Sequence, residues 1–483
     1  MAFLYNADSS VRPSDGCKLQ KIDMTQGDIR DMLKRMTIPM LFGMITLMSF
    51  NLVDTFFISM LGTHELAAVS FTFPVTFTVI SLAIGLGIGT SAVIAKAYGS
   101  GNHQAAKADG LAALWLSAYL VAALSLVGFL LIDPMFRLLG ADDSTLPFIH
   151  QYMNWWFGGA VLLITPMIGN SILRAAGDTK TPSIMMASSG VINAILDPIL
   201  IFGWGPIPAM GVEGASIASV ISWAVSFSLI LYLIVFKRQL VNRGIQPWSE
   251  FKVISRRILH IGLPAAGANM LTPLATAILT AIMARYGAHA VAAFGVGARI
   301  ESIASLVILA MSMTLPPFVS QNLGAGQLDR VHAGYRICID FIFKWQLAVY
   351  VVLASTAPWI AHVFATDPEV ERLICWFIWI LPLGYALQGT VILTNSSFNA
   401  LHLPMNALKL SVIRLFVFYV PFGFVGGQLF GIVGVYGGCL LANVLNAAIA
   451  WRWFHITINR LKIDQINALP TSNTQDAVHV KTL

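Results

Sequence analysis

The sequence predicts an all-α polytopic membrane protein with twelve transmembrane helices in two six-helix lobes. Three observations carry that prediction. Of 483 residues, 57% are hydrophobic and 11% charged, with mean hydropathy +0.75, whereas soluble domains carry about 25% charged residues. Apolar runs of the roughly 20 residues that cross a bilayer recur along nearly the whole chain. Barrel strands need only about 10 residues of alternating pattern, so run length selects helices. Finally, the second half of the chain repeats the first.

Taken in order, residues 1–36 lack an apolar core of signal-peptide length and read as a flexible cytoplasmic tail. The N-lobe, 37–236, holds spans 1 to 6 at 37–61, 66–96, 109–133, 147–174, 182–204 and 211–236. A basic cytoplasmic linker follows at 237–257. The C-lobe, 258–460, holds spans 7 to 12 at 258–285, 289–320, 333–361, 373–396, 406–428 and 432–455, before a second tail at 461–483.

Particular residues stand out within these spans. Pro39 near the start of span 1 costs a helical hydrogen bond and marks a candidate hinge. The run "GLGIG" at Gly85 in span 2 follows no strand, and its small residues at i and i+4 suit helix packing rather than a nucleotide. Arg299 with Glu301 in span 8, and Asp340 with Lys344 in span 9, carry both signs and are expected to pair or to meet a wet interface. Arg414 in span 11 has no evident local partner. Cys17, Cys338, Cys375 and Cys439 show no metal or redox spacing and are expected to pack as free thiols.

Orientation follows from Lys and Arg, which short cytoplasmic loops retain. They crowd the N-terminal tail (Arg12, Lys18, Lys21, Arg30, Lys34, Arg35) and the linker (Lys237, Arg238, Arg243, Lys252, Arg256, Arg257). Both termini are therefore expected in the cytoplasm. This asymmetry accounts for the net charge of +6, and no nucleic-acid partner is needed.

The repeat has a constant shift of 225 residues. It lays Pro39 on Pro264, Gly62 on Gly287, Gly99 on Gly324, Asn170 on Asn395 and Ala175 on Ala400. After a three-residue deletion Pro182 meets Pro404, and with one residue regained "GVEGA" at Gly211 meets "GVYGG" at Gly434. Six spans per half is even, so the halves are parallel repeats about an axis along the membrane normal. Such repeats place a substrate site at their interface and alternate access by rocking. A carrier is the leading reading.

One feature breaks the symmetry. Asp54 of span 1 corresponds to Leu279, and Asp197 of span 5 falls opposite Tyr419. Counted at 1.5 Å per residue, both acids lie roughly 22–25 Å from the cytoplasmic side. Asn193 shares the helix face of Asp197. Intramembrane acids are functional by default. Two neighbouring carboxyls out of water can take up and release a proton as solvent access changes. Ionised, they can hold Na⁺ or attract a lipophilic cation.

In this order the motifs "NLVDTFF", "GTHELAAVSF", "AKAYGSG", "ILRAAGDTKTP", "NAILDPILIFG" and "GVEGASIAS" resemble the multidrug and toxic compound extrusion (MATE) family over residues 30–460. The acidic pair resembles its DinF-like branch. The resemblance implies a V-shaped monomer around a central cavity, in the inner membrane of a prokaryote. It implies an antiporter expelling amphipathic, cationic compounds into which no cofactor enters beyond the coupling ion, H⁺ or Na⁺. It adds Tyr152 and Asn170 of span 4 to the network of Asp54, Asn193 and Asp197. Some members use a threonine of span 6 as a Na⁺ ligand; Ala215 or Ser216 stands there, which favours H⁺. Two alternatives remain. One is a lipid-precursor flippase of the same superfamily. The other is an intramembrane aspartyl hydrolase, for which the GxGD motif is lacking.

Overall fold

A computed structural model describes residues 23–244 and 246–467. The N-lobe spans are Ile29–Ser59, Thr63–Gly99, His103–Leu130, Leu146–Ala175, Lys180–Phe202 and Gly211–Leu231. The last runs on through a π-helical turn, Tyr232–Lys237. Span 7 is Trp248–Ala284, and span 8 comprises Ala288–Ala304 and Leu306–Gly324, interrupted at Ser305. Span 9 is Leu328–Phe364, and span 10 runs from Pro368 to Ala400 through a 3₁₀ turn, Leu381–Gly384. Spans 11 and 12 form one continuous run, Pro404–Asn467. It bends at Phe430 and at Gly431, whose φ of 63° no helix accommodates. Eleven stretches have the length and composition to cross a membrane, and this bend makes the last of them two. Twelve spans result among the described residues.

The helices overrun the expected tails. Span 1 begins at Ile29, capped by the Asp28 side chain accepting from the Asp31 backbone N–H at 2.9 Å. Met24, Met32, Leu33 and Met36 are buried with Leu315, Phe318 and Val331 of the C-lobe. Arg30, Lys34 and Arg35 point away from that stripe and disguise it as a polar tail. At the other end span 12 continues to Asn467. Residues 1–22, with Cys17, residues 468–483 and Ile245 of the linker lie outside the described residues. Cys338, Cys375 and Cys439 are buried and free.

An even number of spans puts both ends of the chain on one side, here the terminal face. In that half the lobes touch along spans 1, 2, 7 and 8, and the contacts obey the 225-residue shift. Gly85 of span 2 receives the backbone of Gly262 and Ala266, and Gly89 receives that of Ile258. Ala310, the mate of Gly85, is buried with Met40 and Met44 of span 1. Thr314, the mate of Gly89, shares a 2.9 Å hydrogen bond with Thr37, the mate of Gly262.

Towards the far face the same helix sides are uncovered. Ser70, Phe73, Pro74 and Thr78 of span 2 are exposed, as are Ala292, Gly295, Arg299 and Ser302 of span 8. The lobes therefore meet at the terminal face and diverge above it, leaving a cleft open to the far side.

Candidate functional site

The acids meet because spans 1 and 5 run parallel and in register. Gly43 admits the Ser183 backbone, and Gly190 admits the Phe50 ring. Each step, 43 to 50 and 183 to 190, is seven residues or about two turns. The contact line thus climbs both helices together, and above it Asp54, four residues past Phe50, and Asp197, seven past Gly190, face each other within hydrogen-bond reach. Asp197 is wholly buried and Asp54 partly so.

The pair is short of donors. Asn193 Nδ2 donates to Asp197 Oδ1 at 3.1 Å and also reaches Ser219 Oγ at 3.4 Å. Among the described residues, no donor reaches the buried Asp54 Oδ1 or Asp197 Oδ2. Buried polar atoms are normally satisfied. A proton carried by one carboxyl supplies the missing donor and removes one of two like charges. Above the pair, Ile58, Ile201 and Ala215 are packed with Phe57 into an apolar cap.

Tyr152 of span 4 stands beside both acids. Ser216 Oγ donates to the Tyr152 carbonyl at 2.8 Å, so this hydroxyl fastens span 6 to span 4. Ser219, three residues on, is the span-6 hydroxyl that reaches the network. Asn170 corrects the expectation. It lies eighteen residues beyond Tyr152 on one helix, roughly 27 Å along it, and its Oδ1 is buried near the terminal end with no partner among the described residues. Shared membership of a span is not proximity. Pro39 sits fifteen residues before Asp54 inside span 1.

The C-lobe positions differ in kind. Leu279, the mate of Asp54, is buried among apolar residues. Tyr419, opposite Asp197, lies under the Arg414 guanidinium, 5.6 Å from its ring centre. Glu301 accepts from Gln388 Nε2 at 2.9 Å and feels Arg414. Its partner is therefore not Arg299, which leaves the opposite side of span 8. Asp340 and Lys344 are both exposed on span 9 and form no ion pair among the described residues. Two cavities of about 280 Å³ lie beside Asn242 and beside Gly324, at the terminal face and away from the acids.

The sequence profile of the MatE family matches residues 39–199 and again 264–425; the two matches begin at Pro39 and at its mate Pro264. The chain is 42% identical over 413 residues to an FAD transporter of Shewanella oneidensis, covering 86% of this chain and 91% of that one. It is 26% identical to a probable multidrug resistance protein of Bacillus subtilis, YoeA, over 84% and 89% of the two chains. Among solved structures it is similar to the Vibrio cholerae MATE transporter VcmN in its bent form, with TM-score 0.86, 34% identity and coverage of 90% and 98%.

Proposed function

The chain belongs to the MatE family, a family of membrane transporters and not enzymes, and on that footing we propose that it is a secondary exporter driven by H⁺ entry through Asp54 and Asp197. The observation that carries this reading is the facing pair of carboxyls with two donorless buried oxygens. A proton entering from the far side bridges the pair, draws span 1 onto span 5 and biases the lobes toward rocking. Opening toward the terminal face, the cytoplasmic side by its basic residues, releases the proton and admits the next cargo. No cofactor takes part. Na⁺ is the weaker coupling ion, because Ala215 offers no oxygen and Ser216 is committed to Tyr152. The working unit is a monomer in the inner membrane.

For cargo, a flavin dinucleotide comes first, because the relative named an FAD transporter stands at 42% identity over most of both chains. The second reading is an amphipathic cation, favoured by the acidic N-lobe and by relatives named for multidrug resistance at 23–26% identity.

The test is transport in proteoliposomes under an imposed pH gradient in Na⁺-free buffer, with FAD and a fluorescent cationic dye as parallel cargoes. Gradient-driven movement that Asp54→Asn and Asp197→Asn both abolish supports H⁺ coupling. Movement only under a Na⁺ gradient transfers coupling to Na⁺. Stillness under both gradients, in folded protein, refutes the exporter reading.

A further inference from the structure

Arg299 is a charge without a counter-charge in the wrong solvent. It lies eleven residues into span 8 from Ala288, roughly 16 Å from the far face. It is exposed, and among the described residues it forms no hydrogen bond or ion pair. Its helix neighbour Glu301 is taken by Gln388.

The direction Arg299 faces follows from the helix period. Its mate Pro74 lies eleven residues before Gly85 on the unbroken helix Thr63–Gly99, three turns to within about 20°, and Gly85 meets Gly262 and Ala266 of the opposite lobe, as Ala310, the mate of Gly85, meets Met40 and Met44 of span 1. Arg299 therefore continues the side of span 8 that faces the N-lobe, into the half where the lobes diverge. Its companions on that side are Ala292, Gly295 and Ser302, small or polar, with Ile303 as the large apolar residue among them. Lipid-facing stretches such as Val351, Val352, Trp359 and Val363 of span 9 are large and apolar. An intramembrane Arg belongs in a water-filled cavity, and this one lines the cleft.

The opposite wall differs. The mate of Arg299 is Pro74, at equal depth by the repeat, and it is flanked by Phe73 and Phe77 with ring centres 5.6 Å apart. Phe73 is exposed. One wall thus offers a planar cation suited to a phosphate, and the other offers aromatic faces suited to a flat ring.

We propose that Arg299 is the cargo's anion-binding residue, receiving the phosphate of an anionic aromatic cargo of the nucleotide class whose ring lies on Phe73 and Phe77. This deepens the flavin reading above and rests on it for the ring. Asp54 and Asp197 remain the coupling pair, so one lobe handles the proton and the other the cargo's charge.

The experiment is a fluorescence titration of wild type, Arg299→Gln and Arg299→Lys in nanodiscs, with FAD, uncharged riboflavin and ADP as probes. Thermal unfolding checks that each variant folds. The expected result is FAD binding weakened about tenfold or more in Arg299→Gln, with riboflavin unchanged and Arg299→Lys between the two, since an ammonium lacks the bidentate fork. If wild type binds FAD and Arg299→Gln binds it equally well, or loses FAD and riboflavin alike, the assignment falls while the flavin reading stands. If wild type binds no flavin, ADP binding that Arg299→Gln loses keeps the anion site and refutes the flavin cargo. Loss of ADP binding in wild type as well overturns the site. An effect confined to discs containing phosphatidylglycerol, absent with zwitterionic lipid, identifies a lipid phosphate and overturns the cargo role.

Discussion

Gly99 of span 2 and Gly324 of span 8 are mates under the repeat, and each leaves room for the backbone of the other lobe. A Cβ on Gly99 would fall on Gln321, and a Cβ on Gly324 would fall on Lys96. Lys96 and Gln321 are themselves mates. Gln321 also donates to the Ala175 carbonyl of span 4 at 2.7 Å. The terminal face is thus clasped twice by one symmetric contact, and rocking has to release both copies.

Alanine at Gly99 or Gly324 forces backbones apart, and overpacking of this kind costs about 1–3 kcal/mol. Both variants are expected to unfold at lower temperature than wild type. Gly158, in the exposed surface of span 4, has no atom within 4 Å of its built Cβ. Gly158→Ala is expected to match or exceed wild type, by up to about 1 kcal/mol of helix propensity. Thermal unfolding in one detergent compares all three. Equal losses everywhere would mean that the clasp is not what the glycines serve.

The clasp also carries a pH dependence. His402, in the left-handed turn between spans 10 and 11 with φ of 61°, lies against Ala92 and near Lys96, Arg257 and His260. Burial first, and then the Lys96 ammonium, push its imidazole down from 6.5 to about 4. The unfolded chain binds a proton below 6.5 that the folded chain refuses until about 4. Stability is therefore present above 6.5 and is lost as pH falls through that window, by about 2 kcal/mol between pH 7.5 and pH 5. His402→Asn keeps a residue tolerant of the left-handed turn and removes the titration. Its unfolding temperature is expected to drop less than that of wild type over the same interval.

At the acids, Asn193 is the amide that serves Asp197 among the described residues, whereas Asn170 lies far down span 4. Asn193→Ala removes the donor of the 3.1 Å bond and is expected to disrupt gradient-driven transport nearly as much as Asp197→Asn. Asn170→Ala is expected to keep coupling and to change at most stability. Ser219→Ala should fall between them, since its contact to Asn193 is long at 3.4 Å. Initial transport rates under one pH gradient rank the series. A coupling loss in Asn170→Ala would return that residue to the site.

Much of this was legible in the chain because it runs along single helices. Hydropathy marks twelve spans, a gapless shift of 225 exposes the two lobes, and counting residues puts Asp54 and Asp197 at one depth. The start of span 1 was hidden because Arg30, Lys34 and Arg35 interrupt the stripe of Met32, Leu33 and Met36. Contacts between helices depend on rotation about each axis, which composition does not set. That is why Gly43 and Gly190 as the residues that bring the acids together, Ser219 beside Asn193, and Gln388 as the partner of Glu301 emerge only from the fold. Asn170 entered the network through the family resemblance, although the eighteen residues between it and Tyr152 already set it at another depth.

Pro39 and Pro264 allow hinge and architecture to be separated. Each lacks the N–H that a helix would use, leaving the carbonyl four residues earlier unpaired, and they are mates in spans 1 and 7. Only span 1 carries an acid above its proline, because Leu279 replaces Asp54 in the C-lobe. If Pro39 lets span 1 bend when the acid pair takes a proton, Pro39→Ala restores the missing bond, stiffens span 1 and uncouples transport while the protein still folds. Pro264→Ala makes the same repair in span 7, where no acid needs to move, and should leave coupling near wild type. Transport rates at several imposed pH gradients distinguish the cases, since uncoupling flattens the dependence on the gradient and slower rocking only scales it. Equal flattening in both variants would show that the prolines serve a motion common to the two lobes, and the hinge assignment for Pro39 would fail.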